Sequence, residues 1–153
     1  MNKIASFTVN HDTLQKGMYI SRIDGDIVTY DIRMKLPNGG DYLHMSAAHT
    51  LEHLFATYAR NSKFGEHVIY VGPMGCRTGF YFLVRDKMSH EEAIALVKES
   101  MAFARDFEGE IPGNKKEECG NYLDHDLAGA KTIGADMYEV LKNWSINDLK
   151  YKE

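Results

Sequence analysis

The sequence has few of the features that accompany nucleic-acid binding, membrane insertion or export. Its 153 residues carry a formal net charge of −4, and Lys115-Lys116 is the only basic doublet. Nucleic acid is therefore not expected as a partner, because a phosphate backbone is bound by clustered lysines and arginines. No apolar run approaches the length of a membrane span. The N-terminal MNKIASFTVNHD lacks the apolar segment of a signal peptide. We expect a cytoplasmic protein without a membrane partner.

Cysteine is also scarce, with Cys76 and Cys119 alone. They could form one disulfide in a secreted chain, but nothing in the sequence points to export. In a reducing compartment both are free thiols, which become candidate metal ligands or reactive groups near histidines. Internal repeats, low-complexity tracts and linkers are absent as well, so residues 1–153 are expected to form a single domain.

Hydrophobic periodicity predicts an α+β fold. Alternating or short apolar runs predict four strands, at 18–23, 26–36, 67–71 and 78–85. The first two are joined at Asp24-Gly25, which indicates a hairpin. In the second strand apolar and polar residues alternate, so one face is apolar and the other polar. We expect a mostly antiparallel sheet of about four strands packed against helices.

Three helices are predicted from caps and spacing. The first runs from about Ala47 to Ala59 with Ser46 as its N-cap. The second begins at Ser89, which has capping-box spacing to Glu92, and continues to about Arg105. The third lies within 121–143, where two glycines weaken the helical pattern.

The segment HTLEHLFA at 49–56 places two histidines on one side of the first helix. His49, Glu52 and His53 share a face, as do Ala56 and Arg60. A complete apolar stripe lies nearly opposite, so the histidines are not needed for packing. Two imidazoles one turn apart can bind one divalent metal. The alternative is an ordinary solvated polar face.

H-x-x-E-H is the inverted form of a zinc-peptidase signature, and it requires a third metal ligand from elsewhere. EECGN offers Cys119 and LDHD offers His125. A thiolate is a strong ligand for zinc or ferrous iron, although most free cysteines are small buried hydrophobes. Cys76 lies between Gly75 and Gly79 beside Arg77, a setting that suits a reactive thiol or, equally, a tight connection between strands.

Five segments together closely resemble the S-ribosylhomocysteine lyase (LuxS) family. They are SFTVNHD at 6–12, YDIRMKLPN at 30–38, HTLEHLFA at 49–56, GPMGCRTGFY at 72–81 and KKEECGNYLDHDLAGAK at 115–131. The resemblance covers the chain from Ser6 to about Lys131 in one order with compatible spacings. Residues 132–153 add little to it.

The resemblance implies a site and a partner. His49, His53 and Cys119 would bind one divalent metal per subunit, ferrous iron in the native enzyme with zinc or cobalt as substitutes. Glu52 and Cys76 would be the two acid/base residues. The substrate pocket would include Ser6, His11 and Arg33, and Arg60 would reach the substrate of the neighbouring subunit. The enzyme would be a homodimer with its active sites at the interface.

The resemblance also implies the reaction, which is cleavage of the thioether of S-ribosylhomocysteine to homocysteine and 4,5-dihydroxy-2,3-pentanedione, the precursor of autoinducer-2. The product links the activated methyl cycle to quorum sensing. Two positions depart from the family pattern. Tyr70 stands where many members have an aspartate, and Gly72 replaces a serine. The aspartate is expected to help hold the homocysteine amino group, so the departure bears on that contact and on substrate affinity, while the metal and acid/base residues are intact.

Two other interpretations fit the residues. A metallohydrolase or peptidase would use a metal-bound water and Glu52 as general base, but it would leave Cys76 unexplained. A non-catalytic domain with a structural metal would need a fourth protein ligand, such as His125 or His11, because structural zinc sites are normally closed by four protein groups.

Overall fold

The computed structural model describes residues 1–152 and confirms the α+β class. Within this range a four-stranded antiparallel sheet has the order β1-β2-β4-β3. Its strands are β1 (Gly17–Asp24), β2 (Ile27–Arg33), β3 (Val68–Pro73) and β4 (Gly79–Arg85). The helices are α1 (Met45–Asn61), α2 (His90–Asp106) and α3 (Leu127–Leu141). Helix α1 packs against both other helices and β3, so its remaining side is available for a site.

The alternation predicted for β2 is present, but both faces of the strand are covered. Val28, Tyr30 and Ile32 lie in the core, as predicted for the apolar face. Asp31 and Arg33 on the polar face are also buried, with 1% and 3% of their surfaces exposed. Opposite charges on side chains two residues apart on one face can pair there, which makes their burial possible.

The helix starts show one wrong and one confirmed cap. Ser46 is not the N-cap of α1. The helix begins at Met45, and His44 is its N-cap residue. The Ser46 hydroxyl instead donates to Asp124 Oδ1 at 2.6 Å. At α2 the predicted capping box is present. The Glu92 N–H donates to Ser89 Oγ at 3.0 Å, and the Ser89 N–H donates to Glu92 Oε1 at 2.9 Å.

Helix α3 forms despite its glycines. One of them is required where α3 packs against α2. A Cβ on Gly134 would lie 2.8 Å from the Met101 carbonyl oxygen and 3.0 Å from Ala104 Cβ, both on α2. Glycine therefore lets α3 approach α2 closely, which offsets its low helix propensity. Among residues 1–152, no helix is both long enough and apolar enough to cross a bilayer.

Candidate metal centre and adjoining clefts

Helix α1 carries the candidate metal ligands on the side that faces away from the core. Leu51, Leu54 and Phe55 are fully buried on its core side, as the helical spacing predicts. His49, Glu52 and His53 are part-buried on the other side. The polar face is therefore neither core nor fully solvated, which is the environment of a binding cleft.

Backbone carbonyls fix the tautomers of the two helix histidines. His49 Nδ1 donates to the Asp124 carbonyl at 2.7 Å, and His53 Nδ1 donates to the Pro112 carbonyl at 2.7 Å. A carbonyl oxygen only accepts, so each Nδ1 bears the proton and each Nε2 keeps a free lone pair. This second-sphere arrangement is typical of metal-binding histidines.

The structure brings a third imidazole, His125, to the same place. Its Nδ1 lies 2.8 Å from Thr50 Oγ1. The Thr50 hydroxyl donates to the Ser46 carbonyl at 3.1 Å and accepts from the Asp126 N–H, so we assign the remaining hydrogen bond to His125 Nδ1–H. Burial lowers the pKa of His125, and the neighbouring His49 and His53 lower it further.

Cys119 completes a cluster that could hold a metal ion. The Cys119 sulfur lies 3.4 Å from His49 Nε2. One ligand atom from each of His49, His53, Cys119 and His125 lies within 4.8 Å of the others. Imidazole nitrogens with one thiolate form a donor set suited to zinc or ferrous iron, so these residues fit a divalent transition metal.

The ring planes distinguish the three histidines. The His49 and His53 rings are nearly perpendicular, at 88° with centroids 4.7 Å apart. The His49 and His125 rings are stacked, at 20° and 4.1 Å. An imidazole lone pair lies in the plane of its ring, so two stacked rings cannot both direct their lone pairs at one ion. The stacked His49 and His125 rings are therefore not both oriented to bind one ion in this arrangement, whereas His53 can bind together with either of them.

One cleft adjoins the cluster, and a second cleft lies next to the first. The larger, of about 490 Å³, is lined by His49 and Glu52. The smaller, of about 370 Å³, is lined by Cys76 and His11. Both clefts are also lined by Gly75 and Arg77, in the connection between β3 and β4. A single elongated ligand could therefore occupy both and contact Glu52 and Cys76.

Arg33 reaches Cys76 through another side chain instead of lining a cleft. Its Nη1 donates to Thr78 Oγ1 at 2.8 Å, and Thr78 Oγ1 lies 3.1 Å from Cys76 Sγ. Its Nε and Nη2 donate to Asp31 at 3.2 and 2.7 Å. Burial lowers the pKa of Arg33, but the hydrogen bond and charge of Asp31 outweigh burial and raise the pKa overall.

Asp31 has a further partner from the other end of the chain. The Tyr151 hydroxyl donates to Asp31 Oδ2 at 2.6 Å, and its ring stacks on Tyr19 with centroids 5.0 Å apart. Burial is the main cause that raises the pKa of Tyr151, and the Asp31 charge adds to it. The phenol therefore stays a hydrogen-bond donor at neutral pH.

Two residues expected at the site lie apart from it in this chain. Ser6, in the short 3-10 turn Ala5–Phe7, lines neither cleft. The Arg60 guanidinium donates to the Val68 and Ile69 carbonyls at 3.1 and 2.9 Å and also lines neither cleft. Their expected roles remain predictions.

The two departures from the family pattern are physically linked. Tyr70 and Gly72 point to the same side of β3, and the Tyr70 ring lies across the α-carbon of Gly72, where a serine Cβ would overlap it. Glycine at 72 therefore makes room for the tyrosine at 70. Position 70, where the family resemblance leads us to expect an aspartate, is here occupied by a half-exposed aromatic ring.

Sequence reasoning missed the residues that orient the site. Thr78 binds the predicted site residue Arg33, Thr50 binds His125, and Tyr151 binds Asp31, the partner of Arg33. A hydroxyl residue carries no pattern that reveals a partner far along the chain. The Asp31-x-Arg33 spacing was an available signal, because residues two apart in a strand share a face.

The fold and the cluster define an α+β protein in which imidazole and thiol groups that could hold a metal ion lie beside a cleft, an arrangement that suits a metal-dependent enzyme. A model of the family described as S-Ribosylhomocysteinase (LuxS) matches residues 4–148. The chain belongs to this family.

Curated relatives match the chain along its whole length. The S-ribosylhomocysteine lyase of Clostridium acetobutylicum is 46% identical over 100% of both chains. The S-ribosylhomocysteine lyase of Phocaeicola vulgatus is 45% identical over 99% of this chain and 98% of its own. That of Finegoldia magna is 45% identical over 100% of both. The sequence resemblance to the family is thereby confirmed.

Proposed function

We propose that this chain is an S-ribosylhomocysteine lyase, a carbon–sulfur lyase that releases homocysteine and 4,5-dihydroxy-2,3-pentanedione. Membership of the family and the names of its relatives support the activity. The observation in this chain that carries the proposal is the metal-binding cluster beside the cleft of Glu52, with the cleft of Cys76 next to it. In this proposal the domain comprises residues 1–153.

One divalent metal per subunit would be held by His49, His53 and Cys119. Ferrous iron is the proposed native ion, with zinc and cobalt as substitutes, because a mixed nitrogen and thiolate set accepts all three. When bound, the ion supplies Lewis acidity toward the substrate oxygens. Three protein ligands leave a position for substrate, whereas a structural site would be closed by a fourth.

The chain's own acid/base groups would move the protons. A C5–S bond breaks by β-elimination only when a carbonyl stands at C3, so the carbonyl of the sugar must first migrate from C1 through enediols. Each step removes a proton beside a carbonyl and returns one to the neighbouring carbon. Glu52 and Cys76 would serve the two sides of the bound sugar.

In the last step a base takes the C4 proton and the electron pair forms the C4–C5 double bond. The homocysteine sulfur leaves with the electrons of the C5–S bond and receives a proton. The remaining enol tautomerises to 4,5-dihydroxy-2,3-pentanedione. The reaction needs no external oxidant or reductant.

The proposal includes a homodimer in which the active sites lie at the interface. Phe7, Met45 and Leu123 expose 68%, 69% and 80% of their surfaces, and a second copy of the chain would cover apolar groups of this kind. Arg60 would then reach the substrate of the neighbouring subunit, and Ser6 would line the substrate pocket. We further propose a cytoplasmic enzyme whose product serves as autoinducer-2 precursor in quorum sensing and whose homocysteine returns to the methyl cycle.

Thiol release on adding S-ribosylhomocysteine to Fe²⁺- or Co²⁺-loaded protein tests the activity. Cys76→Ala is the matched control, since it should retain the metal and lose turnover by about 10²–10⁴-fold. Absence of thiol release by the loaded wild type would overturn the proposal. Peptide cleavage in its place would support the hydrolase interpretation, and bound metal without any turnover would support a structural metal.

A further inference from the structure

The C-terminal segment is held against β1 by its own contacts. The Trp144 Nε1–H donates to the Met18 carbonyl at 2.8 Å, and Leu149 is fully buried. These two anchors bring Tyr151 onto the sheet and place its phenol hydroxyl at a defined point. Tyr151 lies beyond residues 4–148, which match the family.

The Tyr151 hydroxyl binds the carboxylate that orients Arg33. It donates to Asp31 Oδ2 at 2.6 Å, and Arg33 Nη2 donates to the same oxygen at 2.7 Å. Among residues 1–152, Tyr151 is the only hydrogen-bond donor to this carboxylate from outside β2. Two N–H groups that bind one carboxylate fix the plane of a guanidinium. A carboxylate that is held in place therefore determines where Arg33 Nη1 points.

From Arg33 a directed pair of hydrogen bonds leads to Cys76. Arg33 Nη1 donates to Thr78 Oγ1 at 2.8 Å, and Thr78 Oγ1 lies 3.1 Å from Cys76 Sγ. An arginine only donates, so the Thr78 oxygen accepts from it and its own proton is free to point at the sulfur. A hydroxyl that donates to the sulfur favours the thiolate over the thiol. Burial lowers the pKa of Arg33, but Asp31 and then a Cys76 thiolate raise it, which agrees with an attraction between the guanidinium and the thiolate.

We infer that Tyr151 is a positioning residue for Cys76. Its hydroxyl holds the Asp31 carboxylate, which keeps Arg33 on Thr78, and the Thr78 hydroxyl then points at the Cys76 sulfur. The hydrogen bond from Tyr151 also offsets part of the Asp31 charge, which by itself opposes a thiolate. The inference rests on the proposed function in so far as Cys76 is one of its acid/base residues.

The rate at which iodoacetamide alkylates Cys76 reports the thiolate, because the thiolate is the nucleophile. The rate is measured on the Zn²⁺-loaded protein at pH 7 and at pH 10, and mass spectrometry of the Cys76 peptide separates it from Cys119. At pH 10 an ordinary thiol is almost fully ionised, so the rate at pH 7 divided by the rate at pH 10 follows the thiolate fraction and cancels differences in access. In Tyr151→Phe this ratio should fall about 3-fold, since the thiolate loses part of its stabilisation.

Other titratable groups near Cys76 are common to all the proteins compared. His11 and Arg77 line its cleft, and Tyr81 on β4 interacts with its charge. Their effects on the alkylation ratio therefore cancel when a Tyr151 variant is compared with the wild type.

Tyr19→Phe is the matched control. The Tyr19 ring stacks on the Tyr151 ring, but its hydroxyl donates to the Gln15 carbonyl at 2.9 Å, away from the bonds that lead to Cys76. The ratio in Tyr19→Phe should equal that of the wild type. Thr78→Val interrupts the path to Cys76, so in this background Tyr151→Phe should have no further effect on the ratio.

An unchanged ratio in Tyr151→Phe, an equal fall in Tyr19→Phe, or a further fall on adding Tyr151→Phe to Thr78→Val would each overturn the inference. Thiol release by the wild type is measured in parallel. Its absence would contradict the proposed function, whereas the alkylation ratios need no turnover and still report on Tyr151.

Discussion

Two polar clusters, one around Asp31 and one formed by the candidate metal ligands, differ in whether all their hydrogen-bonding groups have partners. In the Asp31 cluster the carboxylate is matched by Arg33 and Tyr151, and Arg33 continues to Thr78. In the metal cluster the Nδ1 atom of each imidazole is hydrogen-bonded, His49 Nε2 lies 3.4 Å from the Cys119 sulfur, and His125 Nε2 has no partner among the described residues. A satisfied cluster holds neighbouring groups in place, whereas an unsatisfied one is prepared for a ligand.

The largest expected effect is on the metal cluster. His53→Ala removes a proposed ligand and should leave the purified protein without stoichiometric metal, with thiol release reduced at least 100-fold. Metal analysis and the thiol assay measure both. His44→Ala, on an exposed histidine just before the same helix, is the matched control. Full metal content in His53→Ala would contradict the ligand assignment.

The next effect tests the Asp31 cluster. Asp31→Asn leaves the Arg33 charge buried without its counter-ion, which should lower the free energy of unfolding by about 3–5 kcal/mol in urea denaturation. The chain contains its own control in the Arg22–Asp24 pair, also two residues apart in a strand but about half exposed. Asp24→Asn should change stability little. Similar losses of stability in Asp31→Asn and Asp24→Asn would show that burial does not determine how much such an ion pair contributes.

Tyr151→Phe should lower the free energy of unfolding by less, about 1.5 kcal/mol. One hydrogen bond to a charged group is lost, but the Asp31–Arg33 ion pair remains. Tyr122→Phe, on an exposed ring, is the control. The raised pKa of Tyr151 means that the folded protein holds this proton more tightly than the unfolded chain. The contribution of the Tyr151 hydroxyl to the free energy of unfolding is therefore complete below about pH 10 and declines as pH rises further.

The difference in stability between wild type and Tyr151→Phe should accordingly shrink above about pH 10. Unfolding measured at pH 8 and at pH 10.5 gives the comparison, and the variant removes the effect of other tyrosines because they are common to both proteins. A constant difference would mean that the pKa of Tyr151 is not raised in the folded protein.

The smallest effect lies outside both clusters. Gly72→Ser should lower the free energy of unfolding by about 1 kcal/mol or less, because the exposed Tyr70 ring can move away from the strand. In a Tyr70→Ala background the same change should cost almost nothing. Urea denaturation of the four proteins completes a double-mutant cycle. Additive costs would show that the two positions are independent.

Much of the fold could be predicted because its signals are local. The alternation in β2, the capping box of Ser89 and the apolar stripe of α1 depend on residues within one or two turns of each other. The start of α1 was predicted wrongly for a tertiary reason. The Ser46 hydroxyl, a good N-cap group, binds Asp124 instead of its own helix.

The sequence by itself determined the face on which His49 and His53 lie, since helical geometry follows from spacing. It also supplied the family through five ordered segments. The tertiary structure decided which groups remain free. The bonds from Asp124 to His49 and from Tyr151 to Asp31 span 75 and 120 residues. Such contacts form only when distant elements pack, so the burial of Arg33 and the unpartnered nitrogen of His125 have no local sequence signal.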